Sequence, residues 1–355
     1  MRRTRNAVYP KGYQGFESSR LRRIIRLELM SINYSDRIHG NIEIIEPVIL
    51  ELINCPSMQR LKGVDQHGYL PHSPENTHSR FEHSLGVYLL LKIFNASLEE
   101  QIAGLIHDVS HTAFSHCIDY ALDADSEKKH DHQDNIFEDF VRKSEIPQII
   151  EKYNLDLNFI LDDKNFPLKE TELPDLCADR LDYSLRAAII YNLIENGKYF
   201  LDNLDAENGR WIFKNFISAQ KYAELFLKLN NDHYSDLAAA AMLRSVGDYL
   251  RYALLQKYIV ETDLYTTDSE VLEKIGSFIP LDSKLKLLFE KMNNSKNFKN
   301  SPDDYDAKVF CKSRMVDPLC RHNGETKRIS EIEPKWKEII RRETEPKEYY
   351  LKFEK

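Results

Sequence analysis

Nine of the twelve histidines in this 355-residue chain (His67, His72, His78, His83, His107, His111, His116, His130 and His132) fall within about a fifth of its length. Histidines serving only as surface polar groups would scatter. A cluster points to a metal, a phosphate or a proton-transfer site. The pair His107-Asp108 carries this argument furthest. It follows the apolar run 102–106, where an unpaired buried aspartate would cost several kcal/mol. A divalent cation removes that difficulty, because carboxylate and neutral imidazole are both good ligands. Adjacent residues on a helix point about 100° apart, so this pair would occupy two positions around an ion and leave the rest to other helices and water. His83, inside the apolar segment RFEHSLGV, is the natural third ligand. The stretch CADRLDYSLRAA offers a fourth, Asp179 or Asp182. His111 is expected one helical turn beyond His107 on the same face, where it would support a ligand or meet a phosphate. His116, in an expected turn after Ala113-Phe114-Ser115, suits the same role or a helix cap. His67, His72 and His78 precede His83 in a loop, and loops line pockets.

Helices are the elements needed to position these side chains. Residues 79–95 are apolar nearly all round and predict a central, buried helix. Apolar residues recur at helical spacing over 98–122, and helix is expected again at 134–150, 174–196, 218–230 and 235–260. Residues 32–45 read as a short β-hairpin or extended arm turning at His39-Gly40. Residues 46–64 read as two short helices broken at Pro56. Segments 151–172 and 292–306 read as loops. A Thr/Asp cap opens a short helix after 265, and short strands are expected at 307–315 and 348–353. The predicted class is all-α, a helical bundle with a smaller mixed α/β C-terminal region. Its segments are 1–31, 32–265 and 266–355.

Composition narrows the function classes. Hydrophobic residues make up 42% and charged residues 30%, the balance of a soluble globular protein. Glycine (12) and proline (13) are sparse, which excludes a collagen-like chain and disfavours a turn-rich β-sandwich. A net charge of −8 is the wrong sign for a generic nucleic-acid coat protein. No run of about 18 apolar residues occurs, so no membrane span is expected, and no apolar stretch follows the basic start to make a secretory signal. The five cysteines form no CxxC pair, which suits reduced thiols in a cytoplasmic protein. Residues 1–26 hold eight basic residues against Glu17 alone. They read as a solvated tail, an oligomer contact or a nucleic-acid contact.

The segments HSRFEHSLGV, IAGLIHDVSHTAFSH and DRLDYSLR, in that order, resemble the motifs of the HD-domain phosphohydrolases. Within that superfamily they most resemble the deoxynucleoside triphosphate triphosphohydrolases. INYSDRIHGNIEIIEPVILELINCPSMQRLKGVDQHG resembles the same branch upstream and TTDSEVLEKI downstream, so the resemblance covers about 32–275. It implies an all-α HD-domain bundle with one divalent metal ion per site, held by His83, His107, Asp108 and Asp179, the last preferred over Asp182. The metal is not specified among Mn, Fe, Mg, Zn, Ni and Co. The resemblance places His111 and His116 beside the α-phosphate, Asp119 behind His116, and His132 (or its neighbour His130) as a further catalytic histidine. Arg80 would meet the triphosphate, Arg180, Tyr183 and Arg186 the phosphates and sugar, and Gln66 the sugar. The implied reaction is attack of water on the α-phosphorus, giving nucleoside and tripolyphosphate. The implied assembly is a homo-oligomer, dimer or tetramer.

This sequence departs from the branch at several positions. His67 replaces a leucine that crowds the sugar 2′ position, which leaves deoxyribose selectivity open. Residues 233–257 lack an arginine- and histidine-rich run, leaving Arg244 and Arg251 as candidate phosphate cations. Asn54 and Lys62 stand where animal members use Asp and Arg to bind a guanine-nucleotide activator, so that control is not expected. Two competing readings remain. One is a phosphodiesterase or nucleotidase on the same centre. The other is a nucleotide- or nucleic-acid-binding regulator with a residual site, which segment 1–26 would serve.

Overall fold

The computed structural model describes residues 31–70, 77–122, 132–294 and 296–354. The expectations for segment 1–26, His72 and His130 lie outside them.

The described chain opens with a hairpin of β1 (Ile32–Asp36) and β2 (Gly40–Ile44), with Asp36 opposite Gly40. The Asp36 carboxylate accepts from the backbone N–H groups of Ile38 and His39, and Gly40 takes the left-handed φ of +72° that the turn requires. Helices α1 (Pro47–Ile53) and α2 (Pro56–Arg60) each begin with proline, where the missing N–H costs nothing. The central helix α3 (Arg80–Ile93) is capped by the Ser79 side chain and buried on nearly every face. It lies between α4 (Leu98–Ile106) and α9 (Ala178–Ile190), which form the base of the site.

Between them run α5 (Asp119–Leu122), α6 (His132–Lys143), α7 (Ile146–Lys152) and α8 (Leu157–Leu161). Helix α8 falls in the stretch 151–172, where a loop was expected. The sequence continues with α10 (Lys198–Asp202), α11 (Phe216–Leu229), the long α12 (Leu237–Leu255), α13 (Asp268–Gly276), α14 (Ser283–Met292), α15 (Ile329–Ile332) and α16 (Pro334–Glu343). None of the described helices is long and apolar enough to cross a membrane.

The helical bundle and the mixed C-terminal region are both present, with strands at Ala307–Cys311 and Lys347–Phe353 as expected, but the label all-α is too strict. Strands β3 (Leu204–Glu207), β4 (Arg210–Phe213), β7 (Leu319–His322) and β8 (Glu325–Arg328) form one sheet in the order β3-β4-β7-β8. Strands β5 (Phe298–Asn300), β9 (Lys347–Phe353) and β6 (Ala307–Cys311) form another. β4 and β7 are parallel, with Ile212 opposite Leu319, so the sheet joins residues on both sides of position 265. The fold is a helical core with small sheets.

A second correction concerns 98–122. Helix α4 ends at Ile106, and residues 107–114 turn rather than continue as helix. The unwound backbone is stabilised by Arg60, whose guanidinium donates to the carbonyls of Val109 (2.8 Å) and His111 (2.7 Å). Arg60 therefore supplies partners that an ended helix lacks.

Candidate metal centre and active-site cavity

His83 projects from the middle of α3 with no exposed surface. Its Nδ1 lies 2.8 Å from Asp182 Oδ2. His107 closes α4, and its Nδ1 lies 2.8 Å from the Gly104 carbonyl. Carboxylate and carbonyl oxygens only accept, so both rings carry hydrogen on Nδ1, and each Nε2 presents a lone pair when its ring is neutral. The two Nε2 atoms face each other at 3.2 Å. Asp179 Oδ1 is 2.9 Å from the first and 3.5 Å from the second. Asp108 Oδ1 is 3.4 Å from His107 Nε2, and Asp108 Oδ2 is 3.8 Å from His83 Nε2. With both rings neutral, four acceptors converge here and repel one another unless a cation, a proton or a metal ion, lies between them.

Titration behaviour points the same way. Burial lowers the proton affinity of His83, but its bonds to Asp179 and Asp182 prevail and push its pKa up to about 9. His107 is likewise raised, against burial, by Asp108 and Asp179. Asp108 and Asp179 sit well below the usual carboxylate range despite burial, held there chiefly by Arg80 and by the two imidazoles respectively. The pocket calls for positive charge at this point. A divalent ion meets that demand with both rings neutral, and two nitrogens with two carboxylates form a donor set that many divalent metals accept.

A buried charge network orients these ligands. Arg186 has no exposed surface, and donates to both Asp182 oxygens (3.0 and 2.8 Å), to Asp36 on β1 (3.0 Å) and to Glu82 on α3 (3.0 Å). This corrects the expected role of Arg186. Four residues after Asp182 on the inner face of α9, it fixes the carboxylate that orients His83 and does not reach the cavity. Such partners commonly tune metal affinity.

The cavity above these ligands has a volume of about 650 Å³. Gln66, His67, Arg80, His107, Asp108, His111, His116, Asp179, Arg180 and Tyr183 all line it. Arg80 is held by Asp108 (2.9 Å) and Ser115 Oγ (3.0 Å). His111 Nε2 lies 3.3 Å from Asp108 Oδ1, and burial with the nearby Arg80 charge pushes its pKa down to about 3. His116 Nδ1 is 3.4 Å from the buried Asp119, and burial with Arg80 holds it well below its ordinary range. Arg180 spends its donors on the carbonyls of Asp175 and Thr171. His67 meets His78 and Tyr191 edge-on, and burial lowers its pKa to about 4. His132 is not among the lining residues. Its Nε2 faces the Tyr265 hydroxyl at 3.4 Å, while its neighbours Gln133 and Asp134 face the cavity.

Several lining residues were not anticipated from the sequence: Lys169, Glu170, Tyr191, His233, Tyr234, Lys312 and Arg314. Arg244 and Arg251, the cations expected from 233–257, are absent from the lining. Arg244 pairs with Asp248 on its own helix, and Arg251 binds the carbonyls of Tyr120 and Ala121.

Comparison with known proteins agrees with this geometry. The HD domain family model matches residues 80–186. A protein of Bacillus subtilis (strain 168), described as uncharacterized, is 35% identical over 289 residues, 80% of this chain and 87% of its own length. The chain belongs to the HD-domain family of metal-dependent phosphohydrolases. Within that family, the metal-dependent phosphohydrolase cns2 of Cordyceps militaris is 39% identical over 164 residues, 45% of this chain and 46% of that protein. The deoxynucleoside triphosphate triphosphohydrolase SAMHD1 of Mus musculus is 35% identical over 162 residues, 38% of this chain and 24% of that protein. The aligned segments thus span less than half of either named enzyme. A phosphohydrolase structure from Bacteroides thetaiotaomicron superposes with a TM-score of 0.66 at 18% identity, covering 92% of this chain and all of that one. The matched segment contains His83, His107, Asp108 and Asp179.

Proposed function

We propose that this HD-domain protein hydrolyses (deoxy)nucleoside triphosphates at the α-phosphorus, releasing nucleoside and tripolyphosphate. The observation that carries the reading is the convergence of His83, His107, Asp108 and Asp179 at the base of a cavity that also holds cations and the ring pair of buried His111 and partly exposed His116. A volume of about 650 Å³ lies within the range of roughly 300–1,000 Å³ typical of small-ligand sites. When bound to those four side chains, a divalent ion would polarise a phosphoryl oxygen and acidify a coordinated water.

The protein's own groups supply the rest. Arg80, locked between Asp108 and Ser115, presents a fixed guanidinium to the phosphate nearest the ligands. Burial and neighbouring cations hold His116 neutral. An arriving phosphate offsets those cations and raises its proton affinity, and Asp119 behind it stabilises the imidazolium. His116 can then pass a proton to the departing 5′ oxygen. The Gln66 side chain faces the cavity with its Oε1 unpartnered among the described residues, as a sugar contact would require.

The test is incubation of the purified protein with Mn²⁺ or Mg²⁺ and each of the eight common NTPs and dNTPs, with products identified by mass spectrometry. Nucleoside plus tripolyphosphate is expected. Orthophosphate or a nucleoside monophosphate would reassign the centre to another phosphate ester bond.

A further inference from the structure

We propose that an extended C-terminal strap, residues 311–317, closes the cavity with Lys312 and Arg314 and grips the polyphosphate tail of the substrate. The inference rests on the triphosphate reading above and assigns the tail a place within it.

Alternation along the strap is the first observation. Cys311, Ser313 and Met315 are buried, while Lys312 and Arg314 between them line the cavity. Successive side chains of an extended strand point to opposite sides, so one face anchors the strap and the other delivers two cations.

The anchoring is specific. Asn230, fully buried, donates from Nδ2 to Ser313 Oγ (2.9 Å) and accepts the Arg314 backbone N–H at Oδ1 (2.9 Å). Ser313 in turn donates to the Glu343 carbonyl. The Asp317 N–H donates to the Pro174 carbonyl (2.9 Å). Asn230 begins a π-helical turn, Asn230–Tyr234, that ends α11 and also brings His233 and Tyr234 to the cavity. Such turns are rare and recur at functional sites.

Elimination is the second argument, and it bears on Arg314 alone. Among the other cavity cations, Arg80 is paired with Asp108, Lys169 with Asp163 at 2.6 Å, and Arg180 with two carbonyls and Glu170. The Arg314 guanidinium has no carboxylate partner among the described residues. Beside it, the Tyr183 and Tyr234 hydroxyls are buried with no hydrogen-bond partner there, their rings 5.8 Å apart. Burial pushes both hydroxyls up in pKa, and the Arg314 charge opposes that, so the guanidinium acts on both groups. A cation with two O–H donors facing one space matches the anionic oxygens of a phosphate chain. A single phosphate would be served by Arg80 and the metal ligands, whereas further phosphates need further cations.

The experiment is calorimetric titration of the metal-loaded protein with inorganic tripolyphosphate and, separately, orthophosphate, with Mg²⁺ in excess in both cell and syringe. Lys312→Gln and Arg314→Gln are expected to weaken tripolyphosphate at least tenfold and orthophosphate far less, with Arg314→Lys intermediate. Circular dichroism verifies the fold of each variant. Equal losses for both anions, unchanged affinity, or no tripolyphosphate binding by the unaltered protein would overturn the strap assignment. Strap-dependent tripolyphosphate binding without turnover of any nucleoside triphosphate would instead keep the subsite and remove the proposed reaction.

Discussion

The base of the cavity and its strap-side wall are held by different forces. At the base, four converging acceptors come from the stretch 83–179, and three of them are oriented by a buried charge or a helix-end carbonyl: Asp182 behind His83, Gly104 behind His107, Arg80 beside Asp108. Arg186 ties this set to the β1–β2 hairpin through Asp36. The wall comes from 230–236 and 312–314, segments distant in sequence, and its main anchor is the neutral amide of Asn230. A base made of buried, paired charges tolerates almost no displacement, because each removed partner strands another charge. A wall made of neutral hydrogen bonds yields by smaller amounts. Chemistry should therefore fail abruptly with changes below, and substrate preference should drift with changes above.

Asp108→Ala tests the abrupt side most severely. It removes a converging acceptor and strands the buried Arg80 guanidinium. Bound metal, measured by plasma mass spectrometry, and turnover should both disappear while helical circular dichroism stays near that of the parent. Metal retained at parental stoichiometry would disprove the ligand assignment.

Gly86→Ala attacks the same base without touching a ligand. A Cβ at this position collides with Asp182 Oδ1 and Arg186 Nη2. Overpacking of this kind costs about 1–3 kcal/mol. The displaced Asp182 should release the His83 ring and lower metal affinity by roughly 10–100-fold, the usual effect of losing an orienting partner. Metal titration and thermal unfolding read the two effects separately. A variant that is less stable but binds metal normally would show that the network supports the fold and not the ligands.

Asn230→Ala is the counterpart on the wall. It leaves the Arg314 N–H and the Ser313 hydroxyl short of a partner, at a cost of about 1–3 kcal/mol. Metal content should be unchanged, and the Michaelis constant for a nucleoside triphosphate should rise severalfold with a smaller change in kcat. A matching fall in metal content would erase the proposed division between base and wall.

The same division governs what the sequence makes legible. The base could be read because burying charge beside apolar helices forces short, recognisable juxtapositions such as His107-Asp108 and RFEHSLGV. The wall could not, because its residues meet only in three dimensions, although the strand expected at 307–315 already contained the alternation that presents Lys312 and Arg314. The missed hairpins had a local signal. Asn208-Gly209 and Asn323-Gly324 both take positive φ, and Asn-Gly between short strands is the strongest two-residue hairpin marker. The helix expected over 98–122 failed for a non-local reason, since Arg60, some fifty residues upstream, stabilises the unwound carbonyls. Arg186 was misassigned because nothing in the spacing says that Asp36 and Glu82 claim its guanidinium before a substrate could.

Asp268 lies outside both the base and the wall, and its expected effect on the site is the least direct. Its carboxylate accepts the N–H of Phe114 (2.7 Å), at the end of the unwound stretch that carries His111, and the N–H of Asp65 (2.9 Å), next to Gln66. Burial raises its pKa to about 7, with the two N–H donors opposing. A folded pKa above the unfolded value of about 3.8 means that the protonated form favours the fold. That contribution is fully present below about pH 4 and is lost as pH rises through 7, an effect on the order of a few kcal/mol at most. Asp268→Asn is neutral throughout. It forfeits one acceptor, a penalty that does not vary with pH, and it removes the titration. The melting temperature of the variant relative to the parent should therefore climb steadily between pH 4 and 7. A constant difference would mean that Asp268 is ionised in the fold across that range, with its two N–H donors outweighing burial.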